Sequence, residues 1–446
     1  MKKSLLLLTL CIFASIGISI AQKELLQSGP MVGYSTMREV MLWVQTKSAA
    51  KVKIVYYESG NPQQKMSTAE IETNAQNAYT AHLAATVLPG KKYEYQLYIN
   101  GKALTFSYPL SFQSQTLWQY RTDPPAFKFA FGTCSFVNET EYDRPGNPYG
   151  GGYEIFQSIT NQKPDFMLWG GDNVYLREVD YDSRAGILQR YTHTRSLPEL
   201  QPLLASVHHY AIWDDHDYGP DNSDASYVLK ETTLEAFQLF WANPNYGITD
   251  GITGQFTWAD CDFFLLDNRW ARTQANATLQ TPTILGEEQI QWLITALRYS
   301  RAPFKFVVMG GQFLNNADMT NQNWSENYIR YAKERQAIID AIKQEKISGV
   351  IFLTGDRHHT ELSVLKENTD YPIYELTCSP LTSGVANEKS ATEPNGLRLA
   401  DTFVRERNFS VLEITGARTE RKLNIQVFNT QGQLLWKKEI TAKEIR

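Results

Sequence analysis

Beyond its first 21 residues the chain has no apolar stretch long enough to span a membrane, no excess of basic charge, no internal repeat and no low-complexity tract. Each absence excludes something. Without a second greasy run, no integral membrane segment is expected once the start of the chain is removed. With 43 Lys and Arg against 48 Asp and Glu, a net charge of -5 and a calculated pI of 5.9, there is no basic field with which to grip nucleic acid tightly. No Gly-x-Ser-x-Gly motif occurs, which argues against a serine acyl-transfer enzyme of the lipase or peptidase kind.

What the start does hold is a charged Met1-Lys2-Lys3, a short apolar run over residues 5–20, and Ser19-Ile20-Ala21 as a small-residue cleavage site. Residues 1–21 therefore read as a secretory signal peptide, with the mature protein beginning at Gln22 and reaching the periplasm or the medium. The run is short for a membrane anchor, and Leu10 before Cys11 does not suit a lipoprotein. Cys11 leaves with the signal, so Cys134, Cys261 and Cys378 remain, an odd number that cannot all pair. Cys134 is the natural leftover, either a metal-bound thiolate or a buried thiol packed as a small hydrophobe. Cys261 and Cys378 are either core residues or a disulfide pair.

At 446 residues the chain is long enough for two or three units with substantial cores. Over residues 25–120 the pattern is alternating and β-branched, with turn signals at Ser59-Gly60-Asn61-Pro62 and Asn100-Gly101, which predicts a small antiparallel sandwich without ligand clusters. A polar link at Thr122-Asp123-Pro124-Pro125 closes it. From 127 to 446, strand-like runs alternate with helical stretches, so an α/β layered domain is expected. Alternation returns at residues 410–414 and 423–428, as in strands that finish a second sheet.

The strongest signal is where the apolar runs end. Phe127-Lys128-Phe129-Ala130-Phe131 leads into Gly132-Thr133-Cys134-Ser135, and Asp165-Phe166-Met167-Leu168-Trp169 into Gly170-Gly171-Asp172-Asn173-Val174-Tyr175. His209-Tyr210-Ala211-Ile212 leads into Trp213-Asp214-Asp215-His216-Asp217, and Gly349-Val350-Ile351-Phe352-Leu353 into Thr354-Gly355-Asp356-Arg357-His358-His359. Buried strands of an α/β sheet present functional groups at their carboxyl ends. Four such ends carrying Cys, Asp, Tyr or His point to a metal centre. Two further runs end in Asp267-Asn268-Arg269 and Gly310-Gly311-Gln312 and bring polar groups to the same rim. His359 neighbours His358 on a strand and should face the other way, so it is read as a rim residue. His208 and His209 stand at the start of a strand and are read as structural. Asp214 reads as a supporting group or the ligand of a further hard cation, and Gln312 and Asn138 as candidate pocket residues. Residues 144–152 and 221–222 read as loops over the site.

This order of motifs resembles the calcineurin-like metallophosphoesterases, and in particular the PhoD-type alkaline phosphatases and the phospholipase D enzymes related to them. The resemblance implies a double-sheet α/β sandwich preceded by a small all-β domain of fibronectin type III appearance. It makes Asp172 the bridging carboxylate, puts Asp215 where the wider superfamily has Asn, and completes the ligand set with Asp356 and His358. Cys134 and Tyr175 match the thiolate and phenolate that hold a ferric ion beside calcium sites; Mn, Mg and Zn are the alternatives. By the same resemblance His216 acts on the phosphate, Asp217 orients its ring, and Arg269 either grips a phosphate oxygen or pairs with Asp267. The function implied is hydrolysis of small-molecule phosphate esters by a hydroxide activated at a two-metal site. The alternatives are a phosphodiesterase or phospholipase D-like hydrolase on the same metals and a non-catalytic secreted binding protein. Oligomeric state is not legible.

Overall fold

The computed structural model describes residues 24–317, 326–367 and 369–446; the signal-peptide reading of residues 1–21 lies outside them. Among the described residues, nine strands form one sheet, in the order Leu434–Thr441, Lys422–Asn429, Asn408–Thr415, Phe127–Gly132, Phe166–Gly170, His208–Ile212, Leu26–Ser35, Glu39–Thr46 and Thr80–Thr86. Six more form a second, in the order Gly254–Trp258, Cys261–Leu265, Lys305–Val308, Val350–Thr354, Ile373–Thr377 and Glu361–Leu365. Their central strands are parallel and buried on both faces, which is why they read as unbroken apolar runs.

The period of two decides which side chain goes where. Phe129, Phe166, Phe263 and Phe306 point between the sheets and pack on one another: Phe129 lies 4.9 Å from Phe166, and Phe263 4.9 Å from Phe306, between ring centroids. The alternate residues Phe264, Val307 and Phe352 face outward, under helices Glu287–Tyr299 and Ala332–Gln344. The first of these helices buries Gln289, Leu293 and Leu297, four residues apart on one face, with Glu287 and Glu288 in its first turn and Arg298 in its last, which suits the helix dipole. Trp169, outward on the other sheet, packs on Phe156 of helix Ile155–Asn161.

Residues 26–113 are all-β, as the alternation predicts, but they do not stand apart. Leu26–Ser35 pairs in parallel with His208–Ile212 through Val32 and His208, so three N-terminal strands extend the nine-stranded sheet. The small sheet built on Lys51–Glu58 and Lys92–Ile99 closes over them around Val44, Ile54, Leu83 and Leu97. The C-terminal strands correct a second expectation. They return to the first sheet, Asn408–Thr415 lying antiparallel to Phe127–Gly132, because the apolar edge of that strand is otherwise open. Cys261 and Cys378 are free and buried, not paired.

His208 and His209 are structural. His208 Nδ1 donates to Gly33 O at 2.7 Å and Nε2 accepts from Gln113 N at 3.1 Å; His209 Nδ1 accepts from Trp169 Nε1 at 2.9 Å. Burial pushes them down to about 4 and about 3 respectively. A histidine whose folded pKa lies below its unfolded value stays neutral while the unfolded chain takes up protons, so stability is lost as pH falls below about 6.5. Each should cost about 2 kcal/mol at pH 5 relative to neutral pH. Urea midpoints measured from pH 7.5 to 5 should fall accordingly, and His208→Asn should flatten the slope.

Candidate metal centre

The four marked runs do end together. Past three of the four strand ends the backbone turns through left-handed conformations at non-glycine residues: Cys134 (φ 59°), Asp172 (φ 52°), and Asp356 (φ 67°) with His358 (φ 54°). Such turns are strained and persist where surrounding structure holds them. Here the ends are tied to one another: Cys134 N donates to Gly171 O at 3.2 Å, Ser135 N to Asp172 O at 2.8 Å, and Gly355 N to Gly310 O at 2.6 Å.

Ligand atoms of Cys134, Asp172 and His358 lie within 4.8 Å of one another, as do those of Asp172, Asp215 and His216. Asp172 belongs to both groups, which is the geometry a bridging carboxylate requires. Tyr175 completes the first: its hydroxyl is 3.2 Å from Asp172 Oδ2 and 3.5 Å from His358 Nε2. Cys134 Sγ is 3.6 Å from Asp172 Oδ2 and accepts from Ser379 Oγ at 3.1 Å. Asp214, Glu326 and Asp356 form a third group.

Electrostatics separates these groups. Burial, then Asp215 and its acidic neighbours, pushes the Asp172 carboxyl well up, and no Lys or Arg pairs with it among the described residues. Burial, then Asp172, likewise raises the Cys134 thiol and the Tyr175 phenol, while burial lowers His358 to about 4. Burial opposes the charge of Asp215 too, but His216 and Arg269 outweigh it and pull that carboxyl below its usual range. Buried anions this close are costly without a cation. Arg269 supplies one to Asp214 and Glu326 of the third group, and also reaches Asp215 of the second at 3.6 Å. For the other two, the donor set of thiol, phenol, imidazole and carboxylate fits metal ions.

A cavity of about 520 Å³ opens over the centre, lined by Asp172, Asp215, His216, Asp356 and His358, with Tyr149, Asp221, Asn222 and Arg357 around them and the segment 386–394 as a wall. Both expected loops are thus at its mouth. His216 stacks on Tyr175 at 4.3 Å, and its Nε2 is 3.5 Å from Asp221 Oδ1.

Several assignments change. Asp217 does not orient the His216 ring: its carboxylate accepts from the backbone N–H groups of Asn173, Val174 and Asp214, each at 3.0 Å, and it holds the turn together. Burial keeps its carboxyl raised to about 8. Arg269 neither faces the cavity nor pairs with Asp267. It is fully buried, with Nε on Asp214 at 2.6 Å and Nη1 on Glu326 at 2.9 Å, while Asp267 accepts only its backbone N–H. His359 is not at the rim but fully buried, beside Glu361 and Phe403. Gln312 is buried against Glu361 and Thr377, and Asn138 holds the backbone of Gly150. Tyr149 and Glu326 escaped the sequence reading. Neither follows a strand, and an aromatic in a Gly- and Pro-rich loop gives no periodic signal.

The family comparison fits this geometry. The model of the PhoD-like phosphatases matches residues 129–413, the greater part of the chain. The chain belongs to the PhoD-like phosphatase family. A second model, a domain of unknown function (DUF7800), matches residues 23–117 of this PhoD-like chain. Alkaline phosphatase D of Bacillus subtilis (strain 168) is 25% identical over 359 residues, covering 69% of this chain and 59% of that protein, so the chain spans about three fifths of that relative's length. A solved structure of PhoD superposes with a TM-score of 0.73 at 19% identity, over 95% of this chain and 92% of that one. A purple acid phosphatase from yellow lupin (Lupinus luteus) seeds gives 0.64 at 12% identity, over 92% of this chain and 74% of its own. At these identities the two structures show the fold alone: two sheets with helices outside.

One glycine of this PhoD-like centre has no room for a side chain. A Cβ on Gly310 would lie 2.3 Å from both Asp214 Cγ and Oδ2, on the strand end whose carbonyl accepts from Gly355 N. Gly310→Ala should cost about 1–3 kcal/mol as an overpacking change. It should also displace Asp214 toward the ligands, so thermal melting and metal content should fall together.

Proposed function

We propose that the protein is an exported, metal-dependent phosphoesterase resembling alkaline phosphatase D. The observation that carries this reading is the cavity lined by Asp172, Asp215, His216, Asp356 and His358, with Cys134 and Tyr175 buried against Asp172 beneath it. In this reading Cys134, Tyr175, His358 and Asp172 would hold a ferric ion, with Asp215 and Asp356 as the residues that would hold calcium beside it. Bound ions would screen the phosphoryl oxygens and acidify the attacking water. The chain's own part is to place those charges, to keep the pocket polar and shielded, and to present His216 as the group that protonates or stabilises the departing oxygen. The secretory start of the chain supports export, and among the described residues no helix is long and apolar enough to cross a membrane. Residues 25–120 and 127–446 are proposed as its two units, the first serving as a β support for the second.

The cavity, at about 520 Å³, also admits one alternative, a phosphodiesterase on the same residues, since a second ester substituent fits beside the phosphate. The test is turnover of a chromogenic phosphomonoester beside the matching diester, before and after chelation, with Asp215→Ala as control. Monoester cleavage that requires metal and Asp215 supports the phosphatase; diester preference supports the alternative; silence on both sinks the phosphoesterase reading.

A further inference from the structure

Tyr149 sits in the 144–152 loop, where an exposed phenol would usually be free to turn. This one is held. Its carbonyl accepts from Arg407 Nη2 at 3.0 Å, Arg407 Nε donates to Ser383 O at 2.9 Å, and Asn138 clasps the following Gly150 through two hydrogen bonds of 3.0 and 2.9 Å. Its ring packs edge-on to Phe136 at 5.0 Å, and its face covers Gly384 so closely that a Cβ there would meet Tyr149 Cε2 at 2.5 Å. The hydroxyl so placed lies 3.2 Å from His358 Nδ1 and lines the cavity.

The two nitrogens of His358 face different groups. Nε2 looks toward Tyr175 and the Cys134–Asp172 cluster, and Nδ1 toward Tyr149, with the backbone of Gly384 as a further partner of the ring. An imidazole that ligates through one nitrogen carries its proton on the other and needs an acceptor for it. If Tyr149 Oη accepts that proton, its own O–H cannot point at His358 and is turned toward the cavity. We propose that Tyr149 is a working member of the centre: it fixes His358 as an Nε2 ligand and offers its hydroxyl hydrogen to a phosphoryl oxygen of the substrate. This rests on the phosphoesterase reading for the second role only.

The test compares Tyr149→Phe and Gly384→Ala with the wild-type full chain. Phe keeps the ring and removes the hydroxyl; Ala at 384 keeps the hydroxyl and displaces the ring. Co²⁺ titration, followed by the thiolate charge-transfer absorption of Cys134, reads the first role without any turnover. Both variants should bind Co²⁺ about 10–100-fold more weakly. Inorganic phosphate binding to the loaded protein reads the second and should weaken about tenfold in Tyr149→Phe, the worth of one hydrogen bond. Unchanged Co²⁺ and phosphate affinities in Tyr149→Phe overturn the proposal. A wild-type protein that hydrolyses no phosphate ester would instead sink the phosphoesterase reading, and the Co²⁺ comparison would still decide whether Tyr149 serves His358.

Discussion

Asp172→Asn is expected to abolish turnover while making the metal-free protein more stable. Asp172 is buried, its carboxyl is pushed up by desolvation and by four neighbouring aspartates, and its contacts are Cys134 Sγ, Tyr175 Oη and the backbone N–H of His216. Asn has the same shape, carries no charge, and is one of the few residues that accept the left-handed backbone at φ 52° without much cost. Removing an uncompensated buried anion should raise the melting temperature of the metal-free protein by roughly 1 °C, about 1 kcal/mol in a chain of this size. The sign with pH follows. A carboxyl whose folded pKa is raised costs stability as pH climbs above its unfolded value near 3.9, so the advantage of Asn should vanish in acid and grow toward alkaline pH. With metal the order should reverse, because wild type gains binding free energy that the variant cannot. Loss of kcat/KM should be on the order of a thousandfold or more. A variant that keeps both its activity and its metal would remove Asp172 from the bridging position.

His216→Gln should lower kcat by about a hundred- to ten-thousandfold with the metal content intact. The ring stacks on Tyr175 and reaches into the cavity, while the backbone N–H of His216, which meets Asp172 Oδ1 at 3.4 Å, is untouched by the substitution. The acidic partner of the ring is Asp221, across the loop, and Asp221→Asn should therefore give a smaller loss than His216→Gln. Elemental analysis of the variant decides between two roles that the geometry places side by side. His216 also lies within reach of Asp172 and Asp215 as a potential ligand. Metal lost in step with activity would make it a ligand; metal kept while kcat collapses makes it the group that acts on the phosphate.

The strand-like runs and the residues able to hold metal were legible because both depend on local sequence. A strand buried on two faces must be apolar throughout, and the polar residues that follow it are conspicuous: Cys134, Asp172, Asp215 and Asp356 all stand one to three residues beyond such a run. The roles of Asp217 and Arg269 were not legible, although both lie within the same motifs. Asp217 follows His216 directly, yet the short helix Asp215–Tyr218 turns it toward the backbone of Asn173 and Val174. Arg269 follows its strand as the ligands follow theirs, but points into the pair Asp214 and Glu326. Adjacent residues in sequence part company where the chain bends, and no periodicity records the direction of the bend.

By itself the sequence determined the α/β class, the all-β start and the residues able to hold metal, since hydrophobic alternation and ligand chemistry are properties of short segments. Tertiary structure alone decided which sheet the C-terminal strands join and that the N-terminal strands share a sheet with the centre, because strand pairing is chosen among distant edges. It also brought Tyr149 to His358, a contact spanning 209 residues that rests on loop packing around Gly384 and Arg407. Long-range contacts of this kind are set by the closing of the whole core, and the segments that make them carry no local sign of their partner.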